Sequence, residues 1–306
     1  MFKENTDALQ GNNNLIPLNP PEKGETRVRT QRPEWLKVKA PSGEIYTNLK
    51  NMIHSKSLHT VCEEARCPNM GECWGAGTAT FMILGDICIR NCRFCAITSG
   101  KPLPPDQREP LQVAESIKSM GVRHAVITSV NRDELPDQGS EHWAKTIIEV
   151  RRLNPKVSIE VLIPDFMGDM ECLERVINAK PDILNHNIET VPRLYKTIRP
   201  KAIYERSLMV LKESKKMGMT TKSGFMVGIG EKKEEVFDIL KDLKANDVDI
   251  VTIGQYLQPT PKHAPVDRFV HPDEFAEYRK TGFEMGFRHI ESGPLVRSSY
   301  HAERHA

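Results

Sequence analysis

The chain has 306 residues, 39% of them hydrophobic, and its 43 basic and 41 acidic side chains leave a net charge of +2. That balance offers no polybasic field for nucleic acid or an anionic membrane surface, and no apolar run approaches the ~18 residues of a membrane span. A single fold of this size buries about 75% of its unfolded surface, so no metal or disulfide is needed merely to hold it together, and any metal site has to be explained by chemistry.

Residues 1 to about 32 carry Gly11-Asn12-Asn13-Asn14, Pro17, Pro20 and Pro21 among many charges. Too few apolar side chains are present to offset the entropy of ordering, and the segment reads as a mobile or wrapping tail. It lacks the apolar core of a secretory signal, and Glu4, Asp7 and Glu22 do not suit an acid-poor organelle leader. The expected location is the cytoplasm.

From about residue 80 onward, short β-branched runs alternate with longer segments of helical period, the pattern of βα units and a parallel sheet. The expected strands are Thr80 to Leu84, His124 to Val130, Val157 to Ile163, Asp182 to Ile188, Thr220 to Val227 and Asp249 to Gly254. A helix should follow each. The clearest is the fifth, where Val236, Ile239, Leu240 and Leu243 share one face behind the charged run Lys232 to Glu235. In the first, Val113, Ile117 and Met120 are spaced for burial, and Pro272 suits the opening turn of the last.

Six such units fall two short of a complete eight-stranded barrel. The expected class is therefore α/β, an open, partial (β/α)6 TIM-like barrel with N-terminal and C-terminal extensions. The boundaries expected are 1–50 for a partly disordered N-terminal extension, 51–78 for a cysteine-bearing segment, 79–290 for the barrel and 291–306 for a C-terminal tail. Functional residues of such folds gather in the loops after the strands' carboxyl ends. Here those loops contain Cys88 to Cys95, Asn131 to Glu134, Asp165 to Asp169, Asn185 to Thr190, Gly228 to Glu231 and Gln255 to Pro261.

Six of the seven cysteines lie between residues 62 and 95. Disulfides are disfavoured in a reducing compartment, which leaves metal or redox chemistry. Cys88, Cys92 and Cys95 form C-x3-C-x2-C directly after the first expected strand, and Cys62, Cys67 and Cys73 form C-x4-C-x5-C. A four-iron cluster usually takes four protein thiolates, so three leave one iron open. A zinc site combining the two triplets, or recruiting His54 or His59, is the alternative.

C-x3-C-x2-C after the first strand of a partial βα barrel resembles the radical S-adenosylmethionine superfamily. The resemblance implies that the open iron chelates the amino and carboxylate groups of the cofactor's methionine moiety. An electron from the cluster then breaks a carbon-sulfur bond to give a 5′-deoxyadenosyl radical, suited to an unactivated C–H bond that no side-chain base can deprotonate. The upstream C-x4-C-x5-C narrows the likeness to the lipoyl synthase family. Supporting segments are Pro33-Glu34-Trp35-Leu36-Lys37, Cys67-Pro68-Asn69 through Trp74, Asn185-His186-Asn187-Ile188-Glu189-Thr190 and Gly293-Pro294-Leu295-Val296-Arg297-Ser298-Ser299-Tyr300.

By that resemblance Cys62, Cys67 and Cys73 hold an auxiliary 4Fe-4S cluster whose fourth iron binds Ser299, and this cluster is consumed as the sulfur donor. The implied reaction inserts sulfur at carbons six and eight of a protein-bound octanoyl-lysine. The implied partners are octanoylated carrier domains of 2-oxoacid dehydrogenase complexes or the glycine-cleavage H protein, a reductant such as ferredoxin or flavodoxin, and an iron-sulfur carrier for cluster repair. Neither nucleic acid nor membrane is expected as a partner. A methylthiotransferase is the rival enzyme reading, but the RNA-binding accessory domain expected of that group is not recognisable.

The same likeness puts Phe94 against the adenine, with loop packing as its ordinary alternative. It makes Glu189 an acceptor for the ribose hydroxyls unless it caps the next helix. Gly228 and Gly230 resemble the glycine-rich cofactor segment after the fifth strand; a dinucleotide fingerprint would need glycine at Lys233, so a Rossmann reading fails. Asn131 is a candidate for the methionine amino group and Arg199 for its carboxylate, each against an ordinary loop role. Cys172 reads as a buried hydrophobe, the His301 and His305 pair as a solvated terminus, and His186 as a substrate-contact candidate.

Overall fold

The computed structural model describes residues 32–37, 59–60, 69–75, 78–300 and 302. The chain divides into two units, 1–32 and 33–306. Of the first only Arg32 is described, and every described strand and helix belongs to the second.

The strands are β1 (His59–Thr60), β2 (Thr78–Ile83), β3 (Ile87–Cys88), β4 (Thr98–Ser99), β5 (His124–Ser129), β6 (Ser158–Leu162), β7 (Ile183–Asn185), β8 (Thr220–Val227), β9 (Ile250–Gln255) and β10 (His289–Gly293). Eight of them make one sheet in the order β1-β2-β5-β6-β7-β8-β9-β10, while short β3 and β4 pair separately. β1 runs antiparallel to β2, and the seven strands from β2 to β10 in that sheet are all parallel. Among the described residues β10 does not pair with β1 or β2, so the barrel is partial and open, as expected.

The six expected strands are present, with a seventh parallel one, β10, that sequence pattern does not mark. Its His289-Ile290-Glu291-Ser292-Gly293 carries one β-branched residue, so propensity gives no signal. β7 is shorter than expected because the ladder ends at Asn185, although His186 N–H still donates to Lys222 O (3.0 Å) and Glu189 N–H to Gly224 O (3.0 Å). β2 stops at Ile83 because Leu84 and Gly85 turn left-handed, with φ of 68° and 88°, which sends the chain towards the first-loop cysteines.

Helices cover the outer face of the sheet. α1 is Met70–Gly75, α2 Glu109–Met120, α3 Ser140–Leu153, α4 Met170–Asn178, α5 Tyr195–Ile198, α6 Tyr204–Lys216, α7 Lys233–Ala245 and α8 Pro272–Glu284. α7 buries the four residues its periodicity named, and α8 opens on Pro272. Asp169 caps α4 by accepting from Glu171 N–H and Cys172 N–H (2.9 and 3.3 Å), and Cys172 is buried there as expected.

Ala125, Ile127, Ile159, Val161 and Leu184 pack with Val113, Ile117, Trp143, Ile147 and Leu173 of the helices. Phe225, Val227, Val251 and Ile253 do the same with α7 and α8. Strand side chains alternate, so Thr80, Glu160, Asn185, Lys222 and Thr252 point to the concave side, where all are buried. That interior is polar. Lys222 Nζ lies 2.9 Å from Glu160 Oε1 with neither side chain exposed, Asn185 Nδ2 donates to the same carboxylate (2.9 Å), and His124 Nε2 lies 3.5 Å from Glu160 Oε2. No helix of the described residues is long and apolar enough to cross a membrane.

Candidate active site at the barrel mouth

The Cys88–Cys95 loop is tied down from several sides. Cys88 Sγ accepts from Arg90 N–H and Asn131 N–H, each at 3.4 Å, and Asn131 Nδ2 lies 3.8 Å away. Arg93 N–H donates to Ile198 O (2.9 Å), and Ala264 N–H to Arg93 O (2.8 Å). His263 Nε2 lies 2.8 Å from Cys95 O. A carbonyl only accepts, so Nε2 carries the proton, and Nδ1 receives Thr260 O–H at 2.8 Å.

The strongest tie is Arg90, whose side chain is 3% exposed. It forks onto Asp133 (Nε to Oδ2 2.7 Å, Nη2 to Oδ1 2.9 Å) and reaches Asp165 Oδ1 at 2.6 Å. Arg206 meets the other oxygen of Asp165 at 3.1 Å. Burial raises the Asp165 pKa, but the Arg90 bond and charge outweigh it and hold that carboxyl at about 2. One guanidinium thus fastens the first loop to the second and third. Burial also pushes the Cys92 thiol up and the Cys95 thiol to about 12, so their protons leave when a metal takes their place.

Around this loop lie buried polar atoms with no hydrogen-bond partner: Asn131 Oδ1, Asn187 Oδ1, Thr190 Oγ1 and Arg199 Nε. Arg199 Nη1 is committed to Asn187 O (3.0 Å) and Ile188 O (3.1 Å), which leaves its Nε edge for a ligand. Glu189 has a left-handed φ of 65°, a strain that tends to be kept at functional sites. Burial raises its pKa against the pull of Arg199 and Asn187. Phe94 is half-buried against the second core cluster. A Cβ on Gly228 would collide with Gln255 Nε2 and Arg268 O, so the chain itself requires that glycine, whereas beside Gly230 only Leu194 comes near, at 3.9 Å.

His186 is fully buried. Its Nδ1 donates to Ile163 O (2.9 Å) and its Nε2 accepts from Ser207 (3.0 Å). Burial lowers its pKa to about 4. Both nitrogens are spent inside the fold, so a substrate contact is not its role.

The C-terminal segment crosses the mouth. Asn69 Nδ2 donates to Leu295 O (2.6 Å), and Tyr300 O–H lies 3.3 Å from both oxygens of Glu72 on α1, the helix that carries Cys73. Tyr300 N–H donates to Arg297 O at 2.9 Å, closing a turn with Ser298 and Ser299 at its tip. Ser298 Oγ accepts from Asn187 Nδ2 (2.6 Å). The Ser299 side chain is half-buried and makes no such bond with a described residue.

Of the residues singled out from sequence, Cys88, Cys92, Cys95, Phe94, Asn131, Glu189 and Arg199 meet on one side of the mouth, and Cys73 and Ser299 lie where α1 meets the C-terminal segment. Cys62, Cys67, His54 and the His59 side chain lie outside the described residues. Sequence reasoning passes over Arg90, Asp133, Asp165, Asn187 and Ser298 as actors. Their only signal is membership of the cysteine motif, the strand-end loops or the serine pair.

A model of the radical SAM superfamily matches residues 82–243, and a model of the N-terminal domain of lipoyl synthase of the radical SAM family matches residues 8–67. The lipoyl synthases of Rubrobacter xylanophilus and Phocaeicola vulgatus are 56% and 55% identical to this chain over 297 and 275 residues, covering 94% and 90% of it and 92% and 97% of their own lengths. This chain belongs to the lipoyl synthase family. The mitochondrial lipoyl synthase of Nematostella vectensis is 54% identical over 278 residues, covering 90% of this chain and 96% of its own length.

Solved structures with the same fold include methylornithine synthase (PylB), with a TM-score of 0.52 and 14% identity over 81% of this chain and 82% of that one. Streptococcus suis SuiB bound to precursor peptide SuiA has a TM-score of 0.57 and 11% identity over 81% of this chain and 52% of its own. A lipoyl synthase is a radical enzyme that uses S-adenosylmethionine and two 4Fe-4S clusters. The donor set fits these groups. Among the described residues no three His, Cys, Asp or Glu side chains converge on one metal ion, whereas thiolates that each hold a different iron of a cube need not converge. Nearby, a spare acceptor on Asn131 and a spare donor edge on Arg199 match an aminocarboxylate.

Proposed function

We propose that this enzyme replaces hydrogen by sulfur at carbons six and eight of an octanoyl group attached to a lysine of a carrier protein, with the auxiliary cluster as sulfur donor. The observation that carries the reading is the C-terminal turn, which brings Ser299 to the helix of Cys73 while crossing the mouth that holds Cys88, Cys92 and Cys95. When bound, the three-cysteine cluster supplies the electron that cleaves S-adenosylmethionine.

In this reading Cys88, Cys92 and Cys95 each take one iron and leave the fourth to the cofactor. Asn131 Oδ1 would accept from the N–H of the cofactor's amino group, and the Nε edge of Arg199 would donate to its carboxylate. Glu189 accepts from the ribose hydroxyls, and Phe94 packs on the adenine. Gly228 and Gly230 form the wall behind it. Cys62, Cys67, Cys73 and Ser299 hold the second cluster. Serine oxygen is a harder and far less acidic ligand than thiol, so Ser299 would be the most easily displaced of the four residues that would hold the sulfur-donating cluster.

The chain then comprises a 1–50 extension, a 51–78 auxiliary-cluster segment, a 79–290 barrel and a 291–306 tail. Its partners are octanoylated carrier domains of 2-oxoacid dehydrogenase complexes or the glycine-cleavage H protein, a ferredoxin or flavodoxin reductant, and an iron-sulfur carrier, all in the cytoplasm. Neither membrane nor nucleic acid takes part.

The test is direct. Anaerobic enzyme, reductant and S-adenosylmethionine are incubated with an octanoylated carrier, which is then weighed by mass spectrometry. Gain of two sulfurs is expected. Cofactor cleavage without any mass gain overturns the reading.

A further inference from the structure

We propose that Asn187 is a positioning residue that grips the C-terminal turn through Ser298 and thereby aims the neighbouring Ser299 hydroxyl; this rests on the reading of Ser299 as an auxiliary-cluster ligand. Asn187 is 7% exposed. Its Nδ2 donates to Ser298 Oγ (2.6 Å) and to Glu189 Oε1 (3.1 Å), and its backbone carbonyl accepts from Arg199 Nη1 (3.0 Å). Backbone and side chain are both held.

The barrel wall is shaped around this grip. A Cβ on Gly224 of β8 would lie 2.5 Å from Thr252 Oγ1, 2.9 Å from Asn187 Oδ1 and 3.3 Å from Ser298 Oγ, so only glycine leaves room for the amide and hydroxyl to meet. On the next strand a Cβ at Gly254 would strike Val296 O. The turn is therefore seated in the mouth by close backbone approach, and Asn187 provides a directional bond at its tip.

Ser298 and Ser299 are the two central residues of a turn closed by Tyr300 N–H and Arg297 O (2.9 Å). Such a turn fixes the backbone dihedrals of both central residues, and with them the direction of each Cα–Cβ bond. Anchoring Ser298 therefore holds the Cα–Cβ bond of Ser299 in place, while the Ser299 hydroxyl makes no bond with a described residue and is left for a ligand. The same amide holds Glu189, so one side chain joins the proposed ribose acceptor to the proposed auxiliary-cluster turn. This gives Ser298 and Ser299 different work: one is gripped by the protein, the other is offered to iron.

The experiment compares Asn187→Leu, Ser298→Ala, Ser298→Thr and Ser299→Ala in anaerobically reconstituted, full-length enzyme. Mössbauer spectra report the oxygen-ligated iron, and product assays give cofactor molecules cleaved per product formed. Asn187→Leu and Ser298→Ala are expected to weaken the oxygen-ligated site and raise the cleavage-to-product ratio about tenfold, the factor one lost buried hydrogen bond is worth. Ser298→Thr, which keeps the hydroxyl, restores both. If Ser299→Ala abolishes the oxygen-ligated signal while Asn187→Leu and Ser298→Ala leave signal and ratio at wild-type values, the grip is overturned and the ligand reading stands. If Ser299→Ala keeps the signal, both fall.

Discussion

Replacing Glu160 by Gln tests the polar interior most sharply. Glu160 and Lys222 face each other at 2.9 Å with no exposure on either side chain. Burial raises the carboxyl's pKa, but Lys222 and His124 bring it down from 4.5 to about 2. At about 1.4 kcal/mol per tenfold change in proton affinity, that displacement is worth about 3 kcal/mol of folding stability. It agrees with the roughly 3–5 kcal/mol lost when one partner of a buried pair is removed. Gln keeps the shape and the acceptor for Asn185 but removes the carboxylate charge that faces the Lys222 cation. A folded-state pKa below the unfolded value adds stability that is complete above about 4.5 and disappears as pH falls towards 2, so the comparison belongs at neutral pH. Anaerobic calorimetry of the cluster-loaded enzyme should show a melting temperature lower by about 6–10 °C, at about 2 °C per kcal/mol for a chain near this length. The double variant Glu160→Gln/Lys222→Met should recover part of it, because an apolar replacement also removes the buried cation. A loss under about 1 kcal/mol in the single variant, the range of solvated surface pairs, would refute the account of a dry, charge-paired interior.

Ser299→Ala should keep cofactor cleavage while product yield falls, as read by chromatography and mass spectrometry; equal loss of both would undermine the ligand assignment. In Gly254→Ala the new methyl group strikes Val296 O, so the C-terminal turn has to lift. The expected cost is about 1–3 kcal/mol, with faster proteolytic clipping after Arg297 in the native enzyme; unchanged clipping would count against the seating described. Arg90→Lys retains the charge but not the fork onto Asp133. Chelator-driven loss of iron from the three-cysteine cluster should accelerate about tenfold or more, about the worth of one charge-assisted bond, and an unchanged rate would show that the loop does not depend on that fork.

How legible the molecule is depends on whether its signals are local. β8 is readable to the residue because Thr220–Val227 is rich in β-branched and aromatic side chains, and α7 because four buried residues share one face. β10 is invisible because its inner side chains serve a polar interior, and β7 is overextended because Ile188 looks like strand while the chain is already turning into Glu189. The cysteine triplet is legible as a motif. The Arg90–Asp165 bond spans 75 residues and the Asn187–Ser298 bond 111, and no periodicity or spacing in a single chain reports which distant polar groups will meet. Gly228 stands out for the right conformational reason, yet its crowding comes from Gln255 and Arg268.

Asn69 meets Leu295 across 226 positions of sequence, and Glu72 meets Tyr300 across 228. Contacts so remote carry the closure entropy of a very long loop, so this buckle holds only because the sheet and helices between its ends already bring them together. Loosening these two side-chain contacts would release the C-terminal turn from α1 without breaking a single strand pairing of the sheet.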